Sequence, residues 1–483
     1  MDEEQKLTAQ LNVLFHPESV AVIGVPRGMK SGKLFLLALL DQGFPGKIYP
    51  VHPQATEIEG LKAYPKVSAI PDSVDLAIVL VPSHETLPVI RDCARKGVKG
   101  AVLFTAGYKE TGTAEGKALE EALVRVARTY GMRLIGPNCM GIYSPKSGLS
   151  FFPNLSREPG PVGIISHSGS LANILGRIAS QKGIYFSKVV SIGNESDLMS
   201  SDFLTYLKND SDTQLIGAYL EGIKDGPAFL KALRKTSLEK PVILWKQGLT
   251  AEGSRAASSH TGALAASHEI WQGVVRQSGA ASVAGFEEWV DALMGFALLP
   301  SGLGRRMAII SGPGGLAVSA AEACGRMGLH LAELRLSTRS ALKEILPPTG
   351  TSLWNPVDVG LTASLEIDIY TRAVRTVAAD PGIDALVIIG RGMNPESNHL
   401  YTESMIQARR DFQKPLIMVN IPGFDSDFAK RFCDGGLPFF ETTERALSTY
   451  AQVRRYQVWR KEKTGSPGIT LANDPRASLR GYT

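Results

Sequence analysis

The sequence is poor in the features that mark several protein classes. Its 483 residues include only four cysteines, Cys93, Cys139, Cys324 and Cys433, far apart and with no CxxC spacing. That excludes a disulfide framework and a cysteine-based zinc site as organising devices. The longest local apolar cluster, Leu34 to Leu40, is far short of the ~20 residues of a membrane span. The start, Met1-Asp2-Glu3-Glu4, is acidic and no apolar segment of signal-peptide type follows. A reducing cytoplasm is the expected compartment. The net charge of +5 is spread thinly, with no dense Lys/Arg stripe interleaved with aromatics, which argues against nucleic acid and suits a polyanionic small molecule. The basic run from Arg454-Arg455 to Lys463 reads as a solvated helix face.

What is present is a long alternation of short apolar runs and helical stretches, as in doubly wound parallel α/β sheets. Expected strands are Ser19–Val25, Lys47–Val51, Leu76–Val81, Gly100–Thr105 and Arg133–Gly136, then Val162–Ser166, Lys188–Ile192, Leu215–Leu220 and Val242–Lys246. The last third offers Met307–Ser311, Leu329–Leu334, Ala385–Gly390 and Leu416–Ile421. Most are apolar throughout, as strands covered by helices on both faces should be. Turn-rich stretches place three doubly wound domains at 1–147, 148–301 and 302–463, followed by a tail at 464–483. The first is Rossmann-like and the other two are flavodoxin-like. An internal echo, IIS-x-x-G-x-LA, joins Ile164–Ala172 to Ile309–Ala317. Two independent α/β units using the same turn chemistry would produce it equally well.

Three segments carry chemistry. The first strand runs through Gly24 into Val25-Pro26-Arg27-Gly28-Met29-Lys30-Ser31-Gly32-Lys33. A glycine-rich turn at a strand's carboxyl end lets backbone N–H groups approach a phosphate at a helix N-terminus. The spacing is not GxGxxG, and the second strand ends in Val51-His52-Pro53 without the acidic residue that binds an NAD ribose. With Arg27, Lys30 and Lys33 in the loop, a ligand with several phosphates fits better. Second, Ser166-His167-Ser168-Gly169-Ser170 opens a helix with hydroxyls and small residues, suited to a phosphoryl group but equally to a plain N-cap. Third, Lys246 to Ser267 leaves a strand and is nearly all small residues around His260. Little there could wall in the ring, so an exposed imidazole on a mobile arm is expected, a nucleophile able to take and return a phosphoryl group.

Together these pieces resemble the α-subunit of NDP-forming acyl-CoA synthetases (acetate–CoA ligase, ADP-forming), in the succinyl-CoA synthetase superfamily. The resemblance is carried by Val20–Gly24, Tyr49–Pro53, Ala106–Gly112, Gly136-Pro137-Asn138-Cys139-Met140-Gly141, Ser166–Leu171, Ser191–Asn194, Tyr219–Ile223 and Ser258–Ala265. It implies that His260 is phosphorylated in turnover and that Glu221 holds its imidazole. It implies that Ser166, Ser168, Gly169 and Ser170 cradle the phosphoryl group, with Gly314 and Gly315 heading a second such helix. Coenzyme A would bind along Gly24, Arg27, Ser31, Gly32, Lys33, His52, Pro53, Val81, Pro82 and Asn138. Departures from the pattern are Gly24-Val25-Pro26 for the usual Gly-Ala-Ser, His52 for an Asn, and His167 where Gln is common.

Such proteins also need an ATP-grasp module to pass phosphate between nucleotide and histidine. This sequence offers no Walker A motif and no room for such a module in its last twenty residues. The expectation is therefore a ligase α-subunit working with a separate ATP-grasp β-subunit in an α2β2 heterotetramer, with ATP/ADP and Mg²⁺ bound at the partner. The competing expectation is a non-catalytic CoA- or acyl-CoA-binding regulator on the same scaffold. No residue of this chain is expected to ligate a metal, and no local motif identifies the acid.

Overall fold

A computed structural model describes residues 2–261, 267–423 and 428–466. The strands are β1 (Ser19–Ile23), β2 (Lys47–Val51), the short hairpin β3 (Glu57–Ile58) and β4 (Leu61–Lys62), β5 (Leu76–Val79), β6 (Gly100–Leu103) and β7 (Arg133–Ile135). They continue with β8 (Gly141–Tyr143), β9 (Pro159–Ser166), β10 (Phe186–Ser191), β11 (Leu215–Leu220), β12 (Val242–Lys246) and β13 (Ala281–Val283). The last third supplies β14 (Arg306–Ser311), β15 (His330–Leu331), β16 (Val357–Asp358), β17 (Ala385–Ile389), β18 (Leu416–Val419) and β19 (Phe439–Phe440).

The first sheet has the order β2-β1-β5-β6-β7, the second β13-β12-β11-β9-β10-β8, and the third β15-β14-β17-β18-β19 with β16 also on β14. Within each, the first of the parallel strands (β1, β9 or β14) lies between two later ones, the doubly wound arrangement in which ligands bind beyond the strands' carboxyl ends, where the winding reverses. Runs such as Val242-Ile243-Leu244 and Leu386-Val387-Ile388 are buried. The apolar runs therefore became strands as their composition suggested. The α/β class, with its Rossmann-like and flavodoxin-like layers, is the one the alternation pointed to.

Differences arise at the edges. β8, which the turn signals placed in the first domain, pairs antiparallel with β10 through Tyr143–Val189 and Gly141–Ser191. The chain separates into two compact units, one of residues 1–178 and 185–284, the other of 179–184 and 285–483. The helix Phe286–Leu298 thus goes with the third sheet, not the second. It is apolar on almost every face, and its Asp291 and Glu287 bind Arg445 of the helix Thr443–Thr464 at 2.5 and 2.8 Å. No turn signal marks that change of allegiance, because Leu299–Gly304 comes only after the helix. The tail expected from 464 lies almost wholly outside the described residues. Among those described, no helix is long and apolar enough to cross a membrane.

In the first unit, backbone bonds stitch the carboxyl edges of its two sheets together. Asn194 N–H donates to Pro137 O at 3.0 Å, and Ser196 N–H to Gly136 O at 3.0 Å. The buried Asp197 carboxylate accepts from Arg128, from Arg133 and from Leu134 N–H at 2.8–3.0 Å. A Cβ at Gly193, where φ is +51°, would collide with Pro137 O, so glycine is required at this close approach.

Candidate active site

β11 ends at Leu220, and the next residue is Glu221, whose carboxylate is only 4% exposed. Two residues earlier on the same side of the strand, Tyr219 donates its hydroxyl to Glu221 Oε1 at 3.1 Å. Burial and this carboxylate push the Tyr219 phenol well above its ordinary range. Lys246, in register beside Leu220 at the end of β12, donates its ammonium to Glu221 O at 2.9 Å and to Gln247 O. Burial pulls the Lys246 amine down to about 8. Sequence reasoning assigned neither Tyr219 nor Lys246. The period of two along β11 is the signal that would have found the tyrosine.

His260 lies opposite. Its Nδ1 is 2.8 Å from Glu221 Oε2 and 3.0 Å from Oε1, and its side chain is 56% exposed. The expected loop is instead the helix Ala251–Thr261, with the imidazole in its last turn. Its alanines favour helix, Thr250 caps it by accepting Gly253 N–H at 3.0 Å, and Ala257 is buried. The helix packs against the turn Lys109–Thr111 of the first sheet's domain. Residues 262–266, the remainder of the expected arm, lie outside the described residues. A carboxylate at Nδ1 fixes the proton there and leaves the lone pair on Nε2.

The serine-rich turn adjoins this pair. His167 N–H donates to Tyr219 O at 3.1 Å, and Glu221 N–H donates to His167 Nδ1 at 2.9 Å. Ser166 is buried and gives its hydroxyl to Ser168 O at 2.8 Å, while Ser168 Oγ accepts Leu171 N–H at 3.3 Å as a cap for the helix Gly169–Ile178. Both hydroxyls thus shape the turn. Ser170 is exposed. At Gly169 a Cβ would collide with Met140 Cγ. The echoed turn lies in the other compact unit, where Gly314 and Gly315 begin the helix Gly314–Arg326. Asp358 Oδ2 would be 2.6 Å from a Cβ on Gly314, whereas the space beside Gly315 is open.

The residues expected along the first sheet gather at its carboxyl edge. Gly24 (φ +83°) follows β1, with Val81 Cγ1 2.8 Å from where a Cβ would stand. Arg27, Ser31, Pro53 and Pro82 are exposed, Gly32 is half-buried, and Asn138 adopts φ +57°. His52 Nδ1 accepts the N–H groups of Gln54 and Ala55, both at 3.1 Å, closing the turn much as an Asn side chain would. Lys33 is committed to Glu59 at 2.5 Å and to Arg27 O at 3.0 Å. Among the described residues, no group of three or more His, Cys, Asp or Glu side chains is placed to hold a metal ion.

Comparison with known proteins matches two family models, a CoA binding domain over residues 18–145 and a succinyl-CoA ligase like flavodoxin domain over 159–296. The chain is 37% identical over 454 residues to the α-subunit of acetate–CoA ligase [ADP-forming] II of Pyrococcus furiosus, covering 92% of this chain and 98% of that one. The chain belongs to the ADP-forming acyl-CoA synthetases. This family of acid–thiol ligases lies in the succinyl-CoA synthetase superfamily. Acetate–CoA ligase [ADP-forming] I of Archaeoglobus fulgidus is 36% identical over 447 residues, but this chain spans only 63% of that protein's length. A solved dinucleotide-forming acetyl-coenzyme A synthetase 1 of Ca. Korarchaeum cryptofilum, in complex with phosphate and ADP, has a TM-score of 0.84 and 34% identity, over 93% of this chain and 97% of that one. As a family α-subunit, the chain carries a CoA-binding layer followed by the layer that holds His260.

Proposed function

We propose that this chain is the phosphohistidine-carrying α-subunit of an ADP-forming acyl-CoA synthetase, with Nε2 of His260 as the phosphoryl acceptor. The observation that carries the reading is the 2.8 Å contact between buried Glu221 and the half-exposed His260, at the carboxyl edge where the second sheet's winding reverses.

Acyl-CoA and inorganic phosphate react first. A phosphate oxygen attacks the thioester carbonyl, the C–S bond breaks, and CoA leaves as its thiol after protonation, giving an acyl phosphate. Nε2 of His260 then attacks phosphorus and the carboxylic acid departs as its carboxylate. The Glu221 carboxylate keeps the proton on Nδ1 and stabilises the positive charge that the ring acquires. The helix start at Gly169 and Ser170 offers N–H donors and a dipole to the phosphoryl oxygens. Phospho-His260 finally passes its phosphoryl group to ADP on an ATP-grasp β-subunit, in a reversible cycle. Mg²⁺ at that partner would neutralise the nucleotide phosphates. CoA lies along the carboxyl edge of the first sheet, from Gly24 to Asn138. The named α-subunit relatives support a partner chain. Relatives named for acetate, 4-hydroxybutyrate and trans-feruloyl-CoA support a carboxylic acid without selecting one.

The test is intact mass after incubation with acetyl phosphate, or with Mg–ATP and the ATP-grasp partner. An acid-labile phosphate that His260→Asn abolishes is expected, with CoA binding retained in the variant. Acyl-CoA synthesis surviving in His260→Asn would sink the assignment.

A further inference from the structure

His167 is a second imidazole at the site, and the phosphoryl chemistry above does not use it. It is 4% exposed and lies in the turn between β9 and the helix Gly169–Ile178. Its two ring nitrogens face different partners. Nδ1 accepts the backbone N–H of Glu221 at 2.9 Å. Acceptance requires a lone pair on Nδ1, so the ring proton sits on Nε2. Nε2 lies 3.4 Å from Oε1 of Glu195, which is itself 3% exposed. That is longer than a good hydrogen bond, yet it leaves a buried anion facing the N–H of the ring.

Glu195 is held in turn. It sits at φ +52° in the loop after β10, and Oε1 accepts Ser200 N–H at 2.6 Å. Its carbonyl accepts the Lys224 ammonium at 2.7 Å. A side chain in the left-handed region is strained, and here it points a carboxylate at an imidazole.

We propose that His167 is a positioning residue for the phosphorylated histidine. Oriented by Glu195, its neutral Nε2–H tautomer holds the main chain of Glu221, which sets the Glu221 carboxylate against Nδ1–H of His260. This rests on the reading of His260 as the phosphoryl acceptor. The chain of four runs Glu195–His167–Glu221–His260. Tyr219 also faces the Glu221 carboxylate, and Lys246 its carbonyl. The requirement at position 167 is one acceptor and one donor at opposite ends of a flat group. A carboxamide meets that requirement, and an aliphatic side chain does not.

The experiment compares wild type, His167→Leu and His167→Gln, full chain, with acetyl phosphate as the phosphoryl donor. The readouts are the rate of acid-labile phosphate uptake on His260 and the ring ¹⁵N signals of His260 in the unphosphorylated protein. His167→Leu is expected to lower the uptake rate ~10- to ~100-fold, the scale of a reacting group displaced by up to an ångström, and to shift the His260 signals away from the single Nδ1–H tautomer. His167→Gln is expected to restore most of the rate and the wild-type signals. His167→Leu matching wild type in both readouts, or His167→Gln failing as badly as His167→Leu, would overturn the proposal. If His167→Leu does not fold, Glu195→Gln decides, since it keeps the shape and removes the charge: a several-fold lower rate supports the role, and an unchanged rate with unchanged signals refutes it. Wild type that takes up no phosphate refutes the proposed function. Wild type that does, alongside an equally fast His167→Leu, refutes only the positioning role.

Discussion

Glu221 Oε2 lies 2.8 Å from Nδ1 of His260, the carboxylate buried and the imidazole half in solvent. The two residues are 39 positions apart and come from the end of β11 and the last turn of the helix Ala251–Thr261. Glu221→Gln keeps the shape and removes the anion. A carboxylate that orients a metal-bound histidine is worth ~10- to ~100-fold; on the same scale, phosphohistidine formation should slow by that factor while CoA affinity is unchanged. Rapid-quench measurement of the phosphoenzyme checks it, and a wild-type rate would remove Glu221 from the mechanism.

Lys246 gives a pH dependence with a definite sign. Its amine is lowered from 10.5 to about 8 in the folded protein by burial. Between those values the unfolded chain binds more protons, so this group's contribution to stability rises with pH across that window. At pH 7 both states are protonated and the unfavourable burial of the ammonium is present in full. Lys246→Met removes the effect, so the stability difference between variant and wild type should change by up to ~3 kcal/mol, in favour of wild type, from about pH 7.5 to about pH 10.5. Urea unfolding at the two pH values measures it. A difference independent of pH would show that the ammonium is not buried in the way described.

Gly193→Ala tests the seam between the first two sheets. The backbone there is at φ +51° and an added methyl meets Pro137 O. Strain and overpacking act together, so a loss of at least ~2 kcal/mol is expected. Gly226→Ala is the control, because nothing lies within 4 Å of its Cβ position. Equal melting temperatures for the two variants would contradict the packing.

Lys33 makes a prediction about CoA. Its ammonium is held by Glu59 at 2.5 Å and is neutralised toward a phosphate ligand. Glu59→Gln releases it, so CoA should bind several-fold more tightly in titration calorimetry, with a steeper dependence on salt. Weaker binding would mean that the Lys33–Glu59 pair itself shapes the site.

Much of this protein is written in local order. The apolar runs became the parallel strands of three sheets because burial on both faces selects such runs wherever they occur. The catalytic candidates, His260 and Glu221, were each legible from a short segment and its family resemblance. Other features were set at a distance. β8 joined the second sheet because an antiparallel partner was available at β10, and the helix Phe286–Leu298 went to the third sheet through Arg445, more than a hundred residues later. The arm around His260 reads as flexible when only residue size is counted, yet alanine propensity, the Thr250 cap and the burial of Ala257 make Ala251–Thr261 a helix. The sequence marked His167 as a departure from the usual Gln, but not its partners: its meaning depends on which atom each ring nitrogen meets, and the backbone of Glu221 and the carboxylate of Glu195 are brought there by three neighbouring strands. Sequence determined which groups are present and which elements carry them; tertiary structure decided which groups meet, because hydrogen bonds act over about 3 Å and residues far apart in the chain come that close only in the folded sheet.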